Sequence, residues 1–295
     1  MYQQIVSNKR KTLVLMTVFV ALVMALGWFI GKITGYGYAS LIWAAFISLG
    51  MTLFSYYQGD KIALVVSGAK GPLKKEDNPY LWRIVENLCL TAGLPMPKIY
   101  LIPDSAINAF ATGRDPQHSS IAVTQGALEK LENEELEGVI AHELSHIKNY
   151  DIRLMTVVIV LVGIVALLSD WLLRINFFRK DNEGDRPMNP LLLVLGVFLI
   201  ILAPLIAELI KLAISRRREY LADASGALLT RYPDGLANAL EKIAKENRPV
   251  RRATQATAHL YIANPFGNTR KWLTNLFSTH PPIEERIKKL KEMGR

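Results

Sequence analysis

The sequence predicts a mainly α-helical chain with multi-pass membrane helices and one small antiparallel β-sheet. Three observations lead there: four long apolar runs, a cluster of short β-branched segments between turn residues, and amphipathic helical patterns flanking them. Of 295 residues, 51% are hydrophobic and 21% charged, which is more apolar than an ordinary soluble chain and sufficient to bury a core.

The first apolar run, Thr12 to Gly31, has twenty residues without a charge, and the second, between Lys32 and Asp60, has twenty-seven. Each is long enough to cross a bilayer as a helix. Lys9, Arg10 and Lys11 precede the first run as in a signal peptide, but no small-residue cleavage site is evident and a second run follows at once. Residues 1–57 therefore read as a membrane hairpin turning between Lys32 and Tyr38. Leu154 to Ser169 offers sixteen uncharged residues and Pro187 to Ala207 twenty-one. Residues 154–214 are expected to form a second pair of membrane or membrane-embedded helices, with a buried core helix or a re-entrant segment as the alternative for the shorter one. Pro204 should bend the longer one.

Lys+Arg outnumber Asp+Glu by 35 to 26, a net charge of +9, and the position of the excess decides its meaning. Three basic residues precede the first run, Lys32 alone lies in the turn, Lys61, Lys70, Lys74 and Lys75 follow the second run, and sixteen Lys/Arg follow Ser215. The positive-inside rule places the ends of the hairpin, and the polar stretches 58–153 and 215–295, in the cytoplasm. Aromatic residues are not interleaved with the basic ones as on a base-stacking platform. The lipid bilayer is an expected partner and nucleic acid is not.

Within the polar stretches, Asp77 and Asn78 ahead of Pro79 mark a helix start, and Gly93 with Pro95 a stop. Residues 79–92 should be a helix with Leu81, Ile84, Leu88 and Ala92 inward. Cys89, the single cysteine, belongs on that face as a small core hydrophobe. Residues 98–102, 107–112 and 120–124 read as strands, the last two joined by the turn cluster Gly113-Arg114-Asp115-Pro116. Asn133 is placed to cap the next helix, with Glu134 and Glu135 in its first turn. Residues 216–231 look helical, Asp234 caps a helix over 235–246, and Pro281 begins a last one with Ile283, Ile287 and Leu290 on one face. Residues 248–278 are the least regular of the polar stretches and are expected to be a mobile loop.

His142-Glu143-Leu144-Ser145-His146 fits H-E-x-x-H inside one of these helices, the context that gives the pattern meaning. Positions i and i+4 share a face, so both imidazoles can point at one ion. Glu143 is rotated about 100° away, placed to take a proton from water that a metal has acidified, which is the arrangement of a zinc hydrolase. The pattern arises by chance in on the order of one such chain in a hundred, so a third ligand is needed. Glu219 and Asp223 are again i and i+4 on a helix. Either Glu219 completes a His/His/Glu site with Asp223 orienting a histidine, or the two form a solvated acidic face; spacing alone leaves both open.

These residues resemble the HtpX family of integral-membrane zinc metalloproteases and, more distantly, the CAAX prenyl proteases of the same gluzincin type. The resemblance runs from the N-terminal hairpin through Asn108-Ala109-Phe110-Ala111-Thr112-Gly113, Ala141-His142-Glu143-Leu144-Ser145-His146-Ile147, Arg218-Glu219 and Ala222-Asp223-Ala224 to Thr279-His280-Pro281-Pro282. It implies a gluzincin-like zinc protease domain, with His142, His146 and Glu219 holding one Zn2+ per chain, Glu143 as catalytic base and Asp223 behind the ligands. It also implies an endopeptidase for misfolded or damaged membrane proteins and unfolded polypeptides, in the cytoplasmic (inner) membrane of a prokaryote with the protease domain facing the cytoplasm. Leu221 stands where some members carry a second polar residue. Asn108, Ala109, Phe110 and Ala111 resemble the strand on which gluzincins add substrate as a further β-strand, although a plain core strand fits them too. His280 is either a helix cap or, as distant relatives suggest, a donor to the tetrahedral oxyanion. A scaffold or channel with a structural metal is the rival from another class, and Glu143 argues against it because a structural site needs no base.

Overall fold

The computed structural model describes residues 2–161, 216–254, 256–267 and 281–294. The run from Pro187 to Ala207, the second half of the run from Leu154 to Ser169, and His280 lie outside the described residues. Two helices, α1 (Tyr2–Thr34) and α2 (Tyr38–Val66), form the expected hairpin and turn at 35–37. Both are long and apolar enough to cross a membrane. Their outward side chains include Leu13, Val14, Trp28, Ile42, Trp43, Phe46 and Phe54, all exposed. Apart from Leu64 near its end, the buried residues of α2 are instead small: Ala44, Ser48, Thr52, Ser55, Gly59 and Ala63. Helices in lipid gain little from apolar burial against one another and pack through small residues that let backbones approach. A Cβ on Gly27 of α1 would stand 2.2 Å from that of Ala44.

Helix α3 (Pro79–Ala92) begins and ends where the sequence places it: Asn78 Oδ1 accepts from Leu81 N–H, and Gly93 takes the left-handed conformation at the end. Cys89 is buried on its inner face. Strands β1 (Lys98–Ile102), β2 (Ala109–Asp115) and β3 (His118–Thr124) follow. The sheet is mixed, where a wholly antiparallel one was expected. β2 and β3 form the antiparallel hairpin, but the order is β1-β3-β2 and β1 runs parallel to β3. The chain passes through β2 before returning to lie beside β1, so the skipped neighbour shares its direction. The hairpin turn is also tighter than expected, since Gly113 to Asp115 belong to β2 and form an irregularity in its register.

Both faces of the sheet are covered, which is why β3 is buried almost throughout instead of alternating. Ile99, Ala109, Ala111, Ile121 and Val123 face a core built from α3, α5 (Asn133–Lys148) and α8 (Pro233–Glu246). Ile102, Phe110 and Ala122 face Ala63 and Leu64 of α2, Met155 and Ile159, and Tyr261. Between them, α4 (Gln125–Lys130) starts from the side-chain cap of Thr124. The cap position of α5 is Glu132, one residue before the expected Asn133, because Glu135 Oε2 reaches back to accept from the Glu132 amide. Helix α6, residues 151–161, is buried: Leu154, Val157, Val158 and Leu161 pack on Leu15 and Phe19 of α1, and a Cβ on Gly59 of α2 would meet Thr156. Helices α7 (Arg216–Thr230) and α9 (Ile283–Met293) complete the described elements.

The residues expected to form a mobile loop are tied down over 256–263. Leu260, Tyr261 and Ile262 are buried, a 3-10 turn spans Ala258–Leu260, and Tyr261 packs edge-on to Phe110 at 5.3 Å. Their irregular pattern reflects service to the second core, without helical or strand periodicity of their own.

Helix α8 lies close against α5 because Gly138 and Gly235 face each other's backbones: a Cβ on Gly138 would stand 2.6 Å from Leu236 N, and one on Gly235 would stand 2.4 Å from Glu134 O. Gly138→Ala gains about 1 kcal/mol of helix propensity but forces two backbones apart, an overpacking cost of about 1–3 kcal/mol. Thermal unfolding in detergent should therefore show a lowered midpoint; an unchanged or raised one would mean the helices separate freely.

Candidate metal centre

Helix α5 brings His142 and His146 onto one buried face, with their Nε2 atoms 3.1 Å apart. Helix α7 crosses it so closely that a Cβ on Gly226 would stand 3.0 Å from His142 N. Two turns earlier on the same helix, Glu219 places Oε2 at 3.8 Å from His142 Nε2 and Oε1 at 3.6 Å from His146 Nε2. Four-coordinate zinc with ligand distances near 2.05 Å needs donor atoms about 3.3 Å apart. The three donors, all buried, lie within 4.8 Å of one another, somewhat wider than that spacing.

The outer ring nitrogens show which face of each imidazole is free. His142 Nδ1 lies 2.9 Å from Asp223 Oδ1, and His146 Nδ1 lies 3.0 Å from Asp151 Oδ2. A carboxylate behind Nδ1 keeps the proton there and leaves Nε2 as a lone pair. Two imidazole nitrogens and a carboxylate converging in a buried space require a cation between them, a proton or a metal ion. The donor set fits a divalent metal of the zinc type. His142, His146 and Glu219 would hold it.

The supporting carboxylates are themselves compensated. Arg286 of α9, fully buried, clamps Asp223 through Nε to Oδ2 at 2.8 Å and Nη2 to Oδ1 at 2.7 Å, and its Nη1 lies 4.0 Å from Glu219 Oε2. Burial alone would raise the Asp223 pKa, but the guanidinium overrides it and holds the carboxyl down at about 2. Asp151 accepts from Asn8 Nδ2 at 2.6 Å and lies 3.3 Å from Arg218 Nη1.

Glu143 points toward β2, where the backbone of Ala111 bonds it. Its Oε1 is buried without a hydrogen bond among the described residues. Burial pushes this carboxyl up to about 8, the environment of a group that exchanges a proton near neutrality. Glu143 lies close enough to His146 and Glu219 for their charges to act on it.

The structure brings together His142, Glu143, His146, Glu219 and Asp223 from the sequence reading. Asn108, Ala109, Phe110 and Ala111 are all buried, and the outer edge of their strand is covered: Ile262 N–H donates to Ala109 O at 3.0 Å, and Asn108 Nδ2 donates to Ala263 O at 3.3 Å. Sequence reasoning missed Asp151, Asn8 and Arg286. Arg286 had a legible signal, since it sits three residues after Ile283 and four before Leu290, on the apolar face of its helix. A charge at a core position requires a buried partner.

A profile described as Peptidase family M48 matches residues 75–294. The chain belongs to peptidase family M48. A protease HtpX homolog from Dictyoglomus turgidum is 47% identical over 293 residues, covering 99% of this chain and 95% of that one. Another protease HtpX homolog, from Tropheryma whipplei, is 45% identical over 295 residues, covering 100% and 99%. The crystal structure of S. mikatae Ste24p is similar in fold, with a TM-score of 0.53 at 19% identity over 98% of this chain and 67% of that one. This M48 member is accordingly a membrane-associated metalloprotease acting on polypeptides with a metal cofactor.

Metal binding must displace a proton from this centre. Burial opposes the charge on His146, but Asp151 and then Glu219 hold the proton and raise its pKa to about 9 in the metal-free site. His142 is pushed the other way by burial and is already neutral at pH 7. A ligand with a raised pKa competes with metal below that value, so affinity should rise with pH, by up to about tenfold per unit, and level off above about 9. Zinc titration against a chelator between pH 6 and 9.5 checks this; a flat profile would mean that His146 carries no proton to lose.

Proposed function

We propose that this M48 member is a zinc endopeptidase that hydrolyses misfolded or damaged membrane proteins on the cytoplasmic side of a prokaryotic inner membrane, with Glu143 as general base. One observation carries the reading: a buried carboxyl whose Oε1 has no partner among the described residues stands beside three convergent donors. When bound, zinc supplies a Lewis acid that acidifies water and polarises a carbonyl. Glu143 accepts the proton of the attacking water at Oε1 and returns it to the leaving amine. Asp223 and Asp151 keep the Nδ1 protons of His142 and His146 in place throughout. His280, implied by resemblance alone, is assigned to hydrogen-bond the oxyanion that develops on the scissile carbonyl.

In this reading residues 1–57 anchor the chain, 58–153 and 215–295 form the cytoplasmic protease unit, and 154–214 return through the membrane. The flanking basic residues support the orientation. The lipid bilayer is then a partner, and nucleic acid is not.

A peptide added along the outer edge of β2, at Asn108 to Ala111, would use the groups that Ile262 and Ala263 now occupy. Ala109 O accepts from Ile262, Asn108 donates to Ala263, and Arg286 Nη1 donates to Ile262 O at 2.6 Å. Substrate binding therefore displaces the 260–263 segment.

Glu143→Gln should keep zinc and lose cleavage by two or more orders of magnitude, because the ligands stay while proton transfer is removed. Glu219→Ala should lose zinc along with activity. Zinc content with casein cleavage reads both, and loss of metal from Glu143→Gln would mean that Glu143 was misassigned.

Hydrogen exchange tests the strand. An extended peptide bound to Glu143→Gln should speed exchange at the Ile262 amide, whose acceptor it takes, while slowing it in β2. Slower exchange at both would place the peptide elsewhere.

A further inference from the structure

The two imidazoles of the metal centre are held by different parts of the chain. Behind His142, Asp223 is clamped by Arg286, and both belong to the region matched by the family profile. Behind His146, Asp151 is held by Asn8, which lies on α1, inside the candidate membrane span Gln4–Phe29 and outside residues 75–294.

We propose that Asn8 is a positioning residue for the metal ligand His146, acting through Asp151, so that the N-terminal membrane helix is part of the metal centre as well as an anchor. The inference rests on the reading of His146 as a zinc ligand. Its geometry is a relay of three short contacts. His146 Nδ1 faces Asp151 Oδ2 at 3.0 Å, Asp151 Oδ1 accepts from Asn8 Nδ2 at 2.6 Å, and Asn8 Oδ1 accepts from Arg218 Nη1 at 3.2 Å. Asn8, Asp151, His146 and Arg218 are all buried, so none of these groups can turn to water instead.

The residue type suits the place. A carboxamide offers donors and an acceptor on one plane without adding charge, and Asn8 uses both: it donates to Asp151 and receives from Arg218. An aspartate there would oppose Asp151 carboxylate to carboxylate, and an apolar residue would leave Arg218 and Asp151 each short of a partner. Asn8 Nδ2 also lies 2.9 Å from Asn149 O, at the end of α5. There the backbone turns through Tyr150, whose φ is 60°, and that turn carries Asp151 back beneath His146. Asn8 thus secures both the carboxylate and the bend that presents it.

Groups that hydrogen-bond a ligand from behind fix its orientation, and their loss costs metal affinity without touching a ligand. The test uses the full chain in detergent, in the Glu143→Gln background so that self-digestion does not intervene. Zinc affinity is measured by chelator competition and the coordination by the visible absorption of the cobalt-substituted protein. Asn8→Ala should weaken zinc by about tenfold and shift the cobalt bands. Asp151→Asn should do likewise, and the double variant should be little worse than the worse single one, because both act on the same contact.

A residue that merely packs α1 against the domain would instead give additive losses and leave the cobalt bands in place. Should Asn8→Ala fail to fold by its thermal transition, Asn8→Ser, which keeps a polar group in the pocket, replaces it in the same cycle. Unchanged affinity and spectrum in either folded variant, or additivity with Asp151→Asn, overturns the link. A parent protein that binds no zinc would overturn the ligand assignment itself, a result separable from failure of the Asn8 variants alone.

Discussion

Each imidazole of the metal centre is gripped between a metal-facing Nε2 and a buried carboxylate at Nδ1, and much of the surrounding structure exists to satisfy those two carboxylates. Asp223 and Asp151 are buried, and a buried charge is tolerated only when paired and hydrogen-bonded. Asp223 takes the bidentate fork of Arg286, which commits α9 to the centre. Asp151 takes Asn8 and Arg218, which commits α1 and the first turn of α7. Removing one partner of such a buried pair costs about 3–5 kcal/mol, far more than the surface pairs elsewhere on the protein. The same groups that orient the imidazoles therefore also hold α1, α6, α7 and α9 around α5.

The charges can meet only because the backbones come close. Gly226 lets α7 lie against α5 at His142, Gly138 and Gly235 do the same for α8, and Gly59 admits α6 against α2. Helix α5 is consequently surrounded. Its buried residues run without interruption from Gly138 to Ile147. A central helix of this kind shows a weak hydrophobic stripe, since no side of it faces water. Its ionisable residues at 142, 143 and 146 are then all desolvated together, which is what separates the proton affinities of His142 and Glu143 from their ordinary values.

How much of this was legible in the sequence depends on the reach of each interaction. Helix α3 was readable to the residue because its start and stop are local: Asn78 caps it and Gly93 closes it. The β2–β3 hairpin was readable from its turn residues, but the parallel place of β1 was not, because strand order is decided by contacts between distant segments. The segment 256–263 looked irregular because its side chains serve a core built by other elements. At the centre, the ligands, Glu143 and Asp223 share helical spacings that can be counted. Arg286 could be found as a charge on an apolar face, but Asp151 and Asn8 are partners across 143 residues, and nothing in either local sequence announces the other.

The break between α5 and α6 sets where the centre lies relative to the apolar helices. A continuous helix would carry His146 about 12 Å from Leu154, at 1.5 Å per residue. Instead α5 ends at Asn149, Tyr150 takes a positive φ, and Asp151 turns back within 3.0 Å of His146. On the other side, Asn8 reaches the same carboxylate from the beginning of the candidate span Gln4–Phe29. A residue of that span is thus two contacts from the His146 imidazole. The centre sits at the heads of the apolar helices, joined to them by hydrogen bonds and by the packing of Leu15 and Phe19 on α6. In the proposed reading, a peptide reaching it comes alongside those helices, where segments that emerge from a membrane are close at hand. A compact domain would have to unfold locally to offer an extended strand there.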